Sequence, residues 1–287
     1  MSNNRNFMEL LTEQLGHGRF LCPTLDSRFA QIPAQFKEEC GGDPFETIVA
    51  FNRQIMWDTQ SAACAWMADQ NFYLEMGHEG LRALQKTIEV ARTVANKVPF
   101  IVACYGGGVK HSAQALANYA YKYLEADAVV VDPWFGSEAS EPLLCPQGKG
   151  VLVNARTSGP GRDELQEQLL ANHEKVPLWK TAAHLASTLW NKNNNCGLYV
   201  GAAAYGEIRL MREVAPSMPI FVTGIGTQKA GLISAEDVEE VMVHGRNRQG
   251  TGAVICAARS LIFAPNVRAE AERLHRLIHE CRAKCAA

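Results

Sequence analysis

The sequence predicts an α/β protein, a single (β/α)8 TIM barrel, on three observations. Eight short apolar runs have the length and composition of buried strands, amphipathic helical patterns separate them, and no Pro/Gly/Ser-rich linker interrupts the 287 residues. Barrels of this class commonly reach such a length as one unit. The domain is therefore expected to span residues 1–287, with a short helical extension over about residues 1–17 lying outside the barrel and closing its N-terminal end.

The strand-like runs are Phe20–Leu25, Ala62–Met67, Val98–Cys104, Ala128–Asp132, Gly150–Ala155, Cys196–Gly201, Pro219–Thr223 and Ala253–Ala257. Near-continuous apolar residues, rather than alternation, mark strands buried on both faces. Helical periodicity occupies Phe45–Ser61, Gly80–Asn96, Ser112–Glu125, a short stretch near Glu138, Leu178–Asn191, Tyr205–Val214, Ala235–His244 and Asn266–Cys285. Parallel strands require such crossovers. An open doubly wound sheet is the alternative, because one miscounted run separates a closed ring from an open sheet.

Composition narrows the function classes. The chain is 47% hydrophobic and 20% charged with a formal net charge of -2, so it carries no electrostatic footprint for nucleic acid or an anionic membrane. No apolar run approaches the roughly 20 residues that span a bilayer. The opening MSNNRNFMELLTEQ lacks the basic and apolar regions of a signal peptide, which leads to the expectation of a cytoplasmic protein. The nine cysteines are scattered, with no C-x-x-C pair and no matching histidine spacing. Reduced thiols, no metal and no cofactor are expected; Cys281 and Cys285 share a helix face but lack a second pair of ligands.

In a barrel, chemistry sits at the C-terminal ends of the strands. Those ends carry Asp26, then Met67 and Asp69, Ala103 and Tyr105, Asp132, Thr157 and Ser158, Gly201, Gly224 to Gln228, and Arg259. Polar groups gather at the first, fifth, seventh and eighth, while the second and third are poor in charge. Gly224 and Gly226 would let backbone N–H groups approach an anion, and Arg259 would add a forked donor to the same oxyanion. Tight turns alone also call for glycine.

Several segments resemble one family. Asp127-Ala-Val-Val-Val-Asp-Pro-Trp-Phe-Gly136 with Glu141-Pro142 resembles the DAVTVNPYMG...EP signature of the bacterial type 2 orotidine 5'-monophosphate decarboxylases. Phe51-Asn52 with Ile55 is similar to that family's FNxxI helix, and Cys64-Ala65-Trp66 with Phe72-Tyr73 to its CAYKP...AFYE. Arg156-Thr-Ser-Gly-Pro160 resembles RTSNP, Thr223 to Gln228 resembles PGIGAQ, and Ala258-Arg-Ser-Leu-Ile-Phe-Ala264 resembles SRAIIYA. The matches run in order from about Leu21 to Ala264. The resemblance implies a decarboxylase-like barrel, a nucleotide or sugar 5'-phosphate as ligand, and a homodimer with the loop of residues 106–112 at its interface. It also implies that Asp26 and Ser112 contact ribose, Ser158 the pyrimidine edge, and Gln228 and Arg259 the phosphate.

The family's catalytic array does not carry over. One lysine from CAYKP and an aspartate, a lysine and a second aspartate from DAKRGD correspond here to Met67, Ala103, Tyr105 and Gly108. That array acts on a substrate carboxylate and protonates a developing carbanion, tasks closed to methionine, alanine and glycine. Candidate replacements are Tyr105, as a hydrogen-bonding or stacking phenol or as a plug, and Lys110 and His111, as an acid or base or as a solvated helix start. Asp69 is a further carboxylate near a strand end. Asp132 has a structural reading at least as good as a catalytic one, and Cys104 is expected to face the helices as core. Three readings follow: a divergent enzyme on a pyrimidine nucleotide or other ribosyl 5'-phosphate, a catalytically inactive nucleotide-binding homologue, which is regulatory or the partner of an active paralogue, and a decarboxylase with a rebuilt site.

Overall fold

Eight parallel strands form the wall of the molecule: β1 Leu21–Pro23, β2 Trp66–Asp69, β3 Phe100–Tyr105, β4 Ala128–Val131, β5 Gly150–Arg156, β6 Cys196–Gly201, β7 Ile220–Thr223 and β8 Ala253–Ala257. The computed structural model describes residues 5–171, 175–201, 205–225 and 233–284. From β2 to β8 each strand pairs with the next in sequence, and β8 pairs back onto β1. Bridges Leu21–Ala63 and Thr24–Met67 join β1 to β2. There the Cys64 N–H donates to the Leu21 carbonyl at 2.8 Å and the Leu25 N–H to the Met67 carbonyl at 2.7 Å. This closes the ring and sets aside the doubly wound alternative, which needs a reversal of strand order and two open edges.

Burial explains why these runs are strands. Every residue of β1, β4, β6 and β8 is buried, and in β4 the sequence AVVV places β-branched side chains against both the barrel interior and the helical layer. The main helices, Pro44–Thr59, Gly77–Val94, Lys110–Ala117, Leu178–Leu185, Tyr205–Val214, Ala235–His244 and Val267–Lys284, follow the expected segments within a few residues. Two are extended by wider turns, at Asn118–Tyr123 and Ala186–Trp190. Four short helices had no periodic signal, at Ala34–Glu39, Gln70–Leu74, Arg162–Leu165 and Arg259–Ile262.

Two boundary differences bear on function. The second strand was expected over Ala62–Met67 but runs over Trp66–Asp69, because its ladder with β3 continues through Ala68–Val102 and Asp69–Ala103. At the end of β3 the register with β4 slips between Ala103 and Tyr105, and Tyr105 has φ of +52°, a left-handed conformation unusual for a side chain of its size.

The N-terminal end of the barrel is sealed by the helix Phe7–Gly16, which Asn6 caps by accepting from the N–H groups of Met8 and Glu9. Phe7 is fully buried and occupies the space a side chain at Gly150 would need, with its ring 2.1 Å from where that Cβ would stand. Beside it, Asp127 accepts from Arg5 Nε at 2.8 Å, Arg92 Nη1 at 2.7 Å and the Phe100 N–H at 2.8 Å. Burial alone would raise the Asp127 pKa; the Arg5 hydrogen bond and the Arg92 charge reverse that and hold it below the usual carboxylate range.

Candidate active site

At the opposite, C-terminal mouth, the ends of β1, β2 and β3 bring Asp26, Asp69 and Tyr105 into one group. The Asp26 carboxylate faces the Asp69 backbone N–H, while its Oδ1 is buried with no partner among the described residues. Burial, then repulsion from Asp69, raises the Asp26 pKa to about 7, against the opposing pull of the Asp69 N–H and the Arg259 charge. Asp69 caps the helix Gln70–Leu74 by accepting from the Asn71 N–H at 2.9 Å. Burial raises its pKa too, and the contacts from Asn71 and the Tyr105 phenol only partly offset this.

Tyr105 closes the group. Burial and then the Asp69 charge push its phenol above the ordinary tyrosine range, while a polar contact from Tyr199 acts the other way. The two rings lie 6.5 Å apart at 58°. Asp132, after β4, accepts from Asn154 Nδ2 at 2.7 Å and is raised by burial. Asp26 and Asp69 both favour the protonated form, Asp26 partly through the charge of Asp69.

The remaining predicted residues divide. Arg259 is exposed at the start of its short helix, and its charge reaches Asp26. Ser158 is exposed on the loop after β5, packed against Gly201 so closely that a Cβ there would lie 2.3 Å from the Ser158 nitrogen. Gly224 follows β7 with φ of +72°. Gly226 and Gln228 lie outside the described residues, as does Cys285. His111 and Ser112 are exposed in the first turn of the helix Lys110–Ala117.

Lys110 stands at the solvated start of its helix, one of the two readings the sequence offers. It does not turn back to the mouth but pairs on the exposed surface with Glu141 of the neighbouring helix Gly136–Leu144. Its ammonium is thereby held above the ordinary lysine value by the Glu141 hydrogen bond and charge. Cys104 is buried, and burial followed by the Asp69 charge pushes its thiol to about 12, which leaves no thiolate for nucleophilic chemistry.

The positions that correspond to the charged array are equally plain. Met67 and Ala103 are fully buried, and Gly108 has φ of +81°. At Gly107 a Cβ would meet the Phe135 ring at 3.0 Å, so close packing as well as turn geometry accounts for glycine there. Among the described residues no group of three His, Cys, Asp or Glu side chains is arranged to hold a metal ion. None of the described helices is long and apolar enough to cross a membrane.

Sequence reasoning missed two contributors. Arg156 entered only as part of a motif, yet it is 2% exposed and bridges Glu167, at 2.6 Å from Nη2, and Glu207, tying the loop after β5 to the start of the helix Tyr205–Val214. The signal was an arginine at the end of an otherwise apolar strand. Tyr199, within β6, meets Tyr105 across the barrel; a single aromatic in a buried strand carries no mark of that role.

Comparison with known proteins places this architecture. The family model described as "Orotidine 5'-phosphate decarboxylase / HUMPS family" matches residues 110–274, a span that begins just beyond the glycine turn. The orotidine 5'-phosphate decarboxylase of Herpetosiphon aurantiacus is 33% identical over 244 residues, covering 85% of this chain and 84% of the relative. That of Thermomicrobium roseum is 31% identical over 289 residues, covering 98% of each. Among solved structures, Leishmania donovani OMP decarboxylase superimposes with a TM-score of 0.83 at 27% identity, covering 97% of this chain and 99% of that one. With a closed parallel barrel, motifs in order along the chain and relatives of this extent, the chain belongs to the orotidine 5'-phosphate decarboxylase / HUMPS family.

Proposed function

We propose that this chain binds a pyrimidine nucleotide or another ribosyl 5'-phosphate at the barrel mouth and catalyses a proton-transfer reaction other than decarboxylation of orotidine monophosphate. The observation that carries this reading is the buried Oδ1 of Asp26, without a partner among the described residues, near Asp69. A buried carboxylate oxygen without a donor is costly, and a ligand hydroxyl would supply the donor. Asp26 and Asp69 would act as acid and base, Tyr105 would hydrogen-bond the reacting part of the ligand, and Arg259 and Gly224 would hold the phosphate. Ser158 would meet the pyrimidine edge, and Ser112 and His111 would serve from the first turn of the helix Lys110–Ala117 in a homodimer.

Charge supports the reading. A site that must strain a substrate carboxylate and protonate a carbanion needs a lysine, and the nearest one in sequence, Lys110, is engaged with Glu141. The packing of Tyr105 toward Tyr199 favours one alternative, a homologue that binds nucleotide without turnover.

The test is a thermal-shift screen of uridine, cytidine and purine 5'-monophosphates, ribose 5-phosphate and inorganic phosphate, run beside an orotidine monophosphate decarboxylation assay. A ligand at one hundred times its dissociation constant adds about 2.7 kcal/mol of stability. The expected result is a shift with ribosyl 5'-phosphates, weakened alike by Arg259→Ala and selectively for pyrimidines by Ser158→Ala, with no decarboxylation. No shift with any phosphate compound would sink the reading. Decarboxylation that disappears in Lys110→Ala would replace it with a rebuilt decarboxylase.

A further inference from the structure

A second pocket lies beside the mouth, between the ends of β4 and β5 and the helix Leu178–Leu185. Its volume is about 330 Å³, within the range of small-molecule sites. Three indoles line it, Trp134, Trp179 and Trp190, together with Leu178 and Leu185 and the carboxylate of Asp132. Trp179 and Trp190 are buried, and Trp179 is pinned by donating its indole N–H to Glu167 at 3.3 Å. Trp134 is 58% exposed and forms the outer lip.

The charge of this pocket is one-sided. Among the described residues no lysine, arginine or histidine lines it, and the hydrogen-bond partner of Asp132 is the Asn154 amide, a neutral donor. Glu167, behind Trp179, is paired with Arg156, a guanidinium it shares with Glu207. Aromatic faces carry negative potential and attract cations most strongly when the group is tryptophan. Three indoles and one carboxylate without a countercharge therefore complement a small positive ion with an apolar shell. A simple metal cation does not meet that description, since the single carboxylate offers too few oxygen ligands.

We propose that this pocket is a binding site for a small organic cation, an alkylated ammonium held among Trp134, Trp179 and Trp190 with its charge toward Asp132. The site is separate from the phosphate-binding reading of the mouth and stands or falls independently of it. Burial raises the Asp132 pKa, and among the described residues the Asn154 hydrogen bond, not a cation, opposes it; the ligand's charge would supply a positive partner.

The probe is choline, compared with tetramethylammonium and with the neutral isostere 3,3-dimethylbutan-1-ol, followed by calorimetry and by tryptophan fluorescence on the full chain. Saturable binding of both cations is expected, at least about fivefold tighter than the neutral alcohol. Trp134→Ala, which removes an exposed ring and leaves the fold intact, should weaken choline by about fivefold or more. Asp132→Asn, which keeps the shape and removes the charge, should do the same. Trp134→Ala should leave unaltered a thermal shift produced by a ribosyl 5'-phosphate. Equal binding of choline and the alcohol would overturn the proposal in favour of a merely apolar pocket. So would the absence of saturable binding by either cation, or an unchanged choline affinity in both variants.

Discussion

Asp127 and Asp26 stand at the two ends of the same barrel and have opposite protonation behaviour. Asp127, at the N-terminal end, meets two guanidinium groups and a backbone N–H and is held below the usual carboxylate range despite its burial. Asp26, at the C-terminal mouth, is raised to about 7 by burial and then by the Asp69 charge, and one of its oxygens has no donor among the described residues. Burial acts in the same direction on both; the partners decide the outcome. The contrast teaches that the sealed end uses its charge for stability, whereas at the mouth the Asp69 N–H and the Arg259 charge only partly offset burial and so leave a group able to exchange protons near neutral pH.

The largest expected effect comes from breaking the paired end. Asp127→Ala leaves Arg5 and Arg92 facing each other without a counterion and should cost about 3–5 kcal/mol of unfolding free energy, read by urea denaturation. Ligand affinity at the mouth should be unchanged in molecules that remain folded. A loss below about 1 kcal/mol would place this network in the range of ordinary surface pairs and remove half of the contrast.

The pH dependence of the two carboxylates runs in opposite senses. The Asp127 pKa is lowered on folding, so its contribution is present above the unfolded value near 3.8 and is lost as the pH falls toward the folded value. The Asp26 pKa is raised from 3.8 to about 7, so the native state keeps a proton that the unfolded chain has released. Its contribution is therefore present below about pH 4 and is lost as the pH rises through about 7, by an amount of order 2–4 kcal/mol. Asp26→Asn should remove this slope and gain on the parent protein between pH 4 and pH 8. Denaturation curves for both at several pH values check it, and a gap that stays constant across that window would show that Asp26 ionises normally.

Asp69→Ala should have a mixed and smaller effect. Loss of the cap on the helix Gln70–Leu74 costs about 1 kcal/mol, while removal of the like charge lowers the pH at which Asp26 loses its proton. The displaced slope in stability against pH distinguishes the electrostatic part from the cap. Smallest of all is Lys110→Ala, which removes an exposed ion pair with Glu141 and should leave both the unfolding midpoint and nucleotide affinity unmoved. A marked loss of nucleotide affinity in that variant would return Lys110 to the mouth and weaken the carboxyl-pair reading.

Some of the site was legible in the sequence because barrel geometry ties function to strand ends. Asp26, Asp69 and Tyr105 follow or end apolar runs, and once those runs are strands of one ring the three side chains converge. Lys110 was not legible in the same way: it lies two residues beyond the glycine turn, but the helix that starts there carries it to Glu141. Arg156 sits in an apolar run where an arginine looks out of place, and its reason, two glutamates from later segments, exists only after folding. The tryptophan pocket draws Trp134 from the loop after β4 and Trp179 and Trp190 from the helical segment after β5, a grouping no local pattern announces.

The sequence by itself determined the alternation of strand and helix and the family, while the bridges between β1 and β2 decided that the sheet closes into a ring. The alternation and the family depend on hydrophobic periodicity and on motifs contiguous along the chain. The sequence also determined that methionine, alanine, tyrosine and glycine stand where the family resemblance implies a charged array. Only the tertiary structure decided that Asp26 feels the charge of Asp69 while Asp127 is clasped by two arginines. A carboxylate's charge state depends on what approaches it through space, and those neighbours come from strands and helices far apart in the chain.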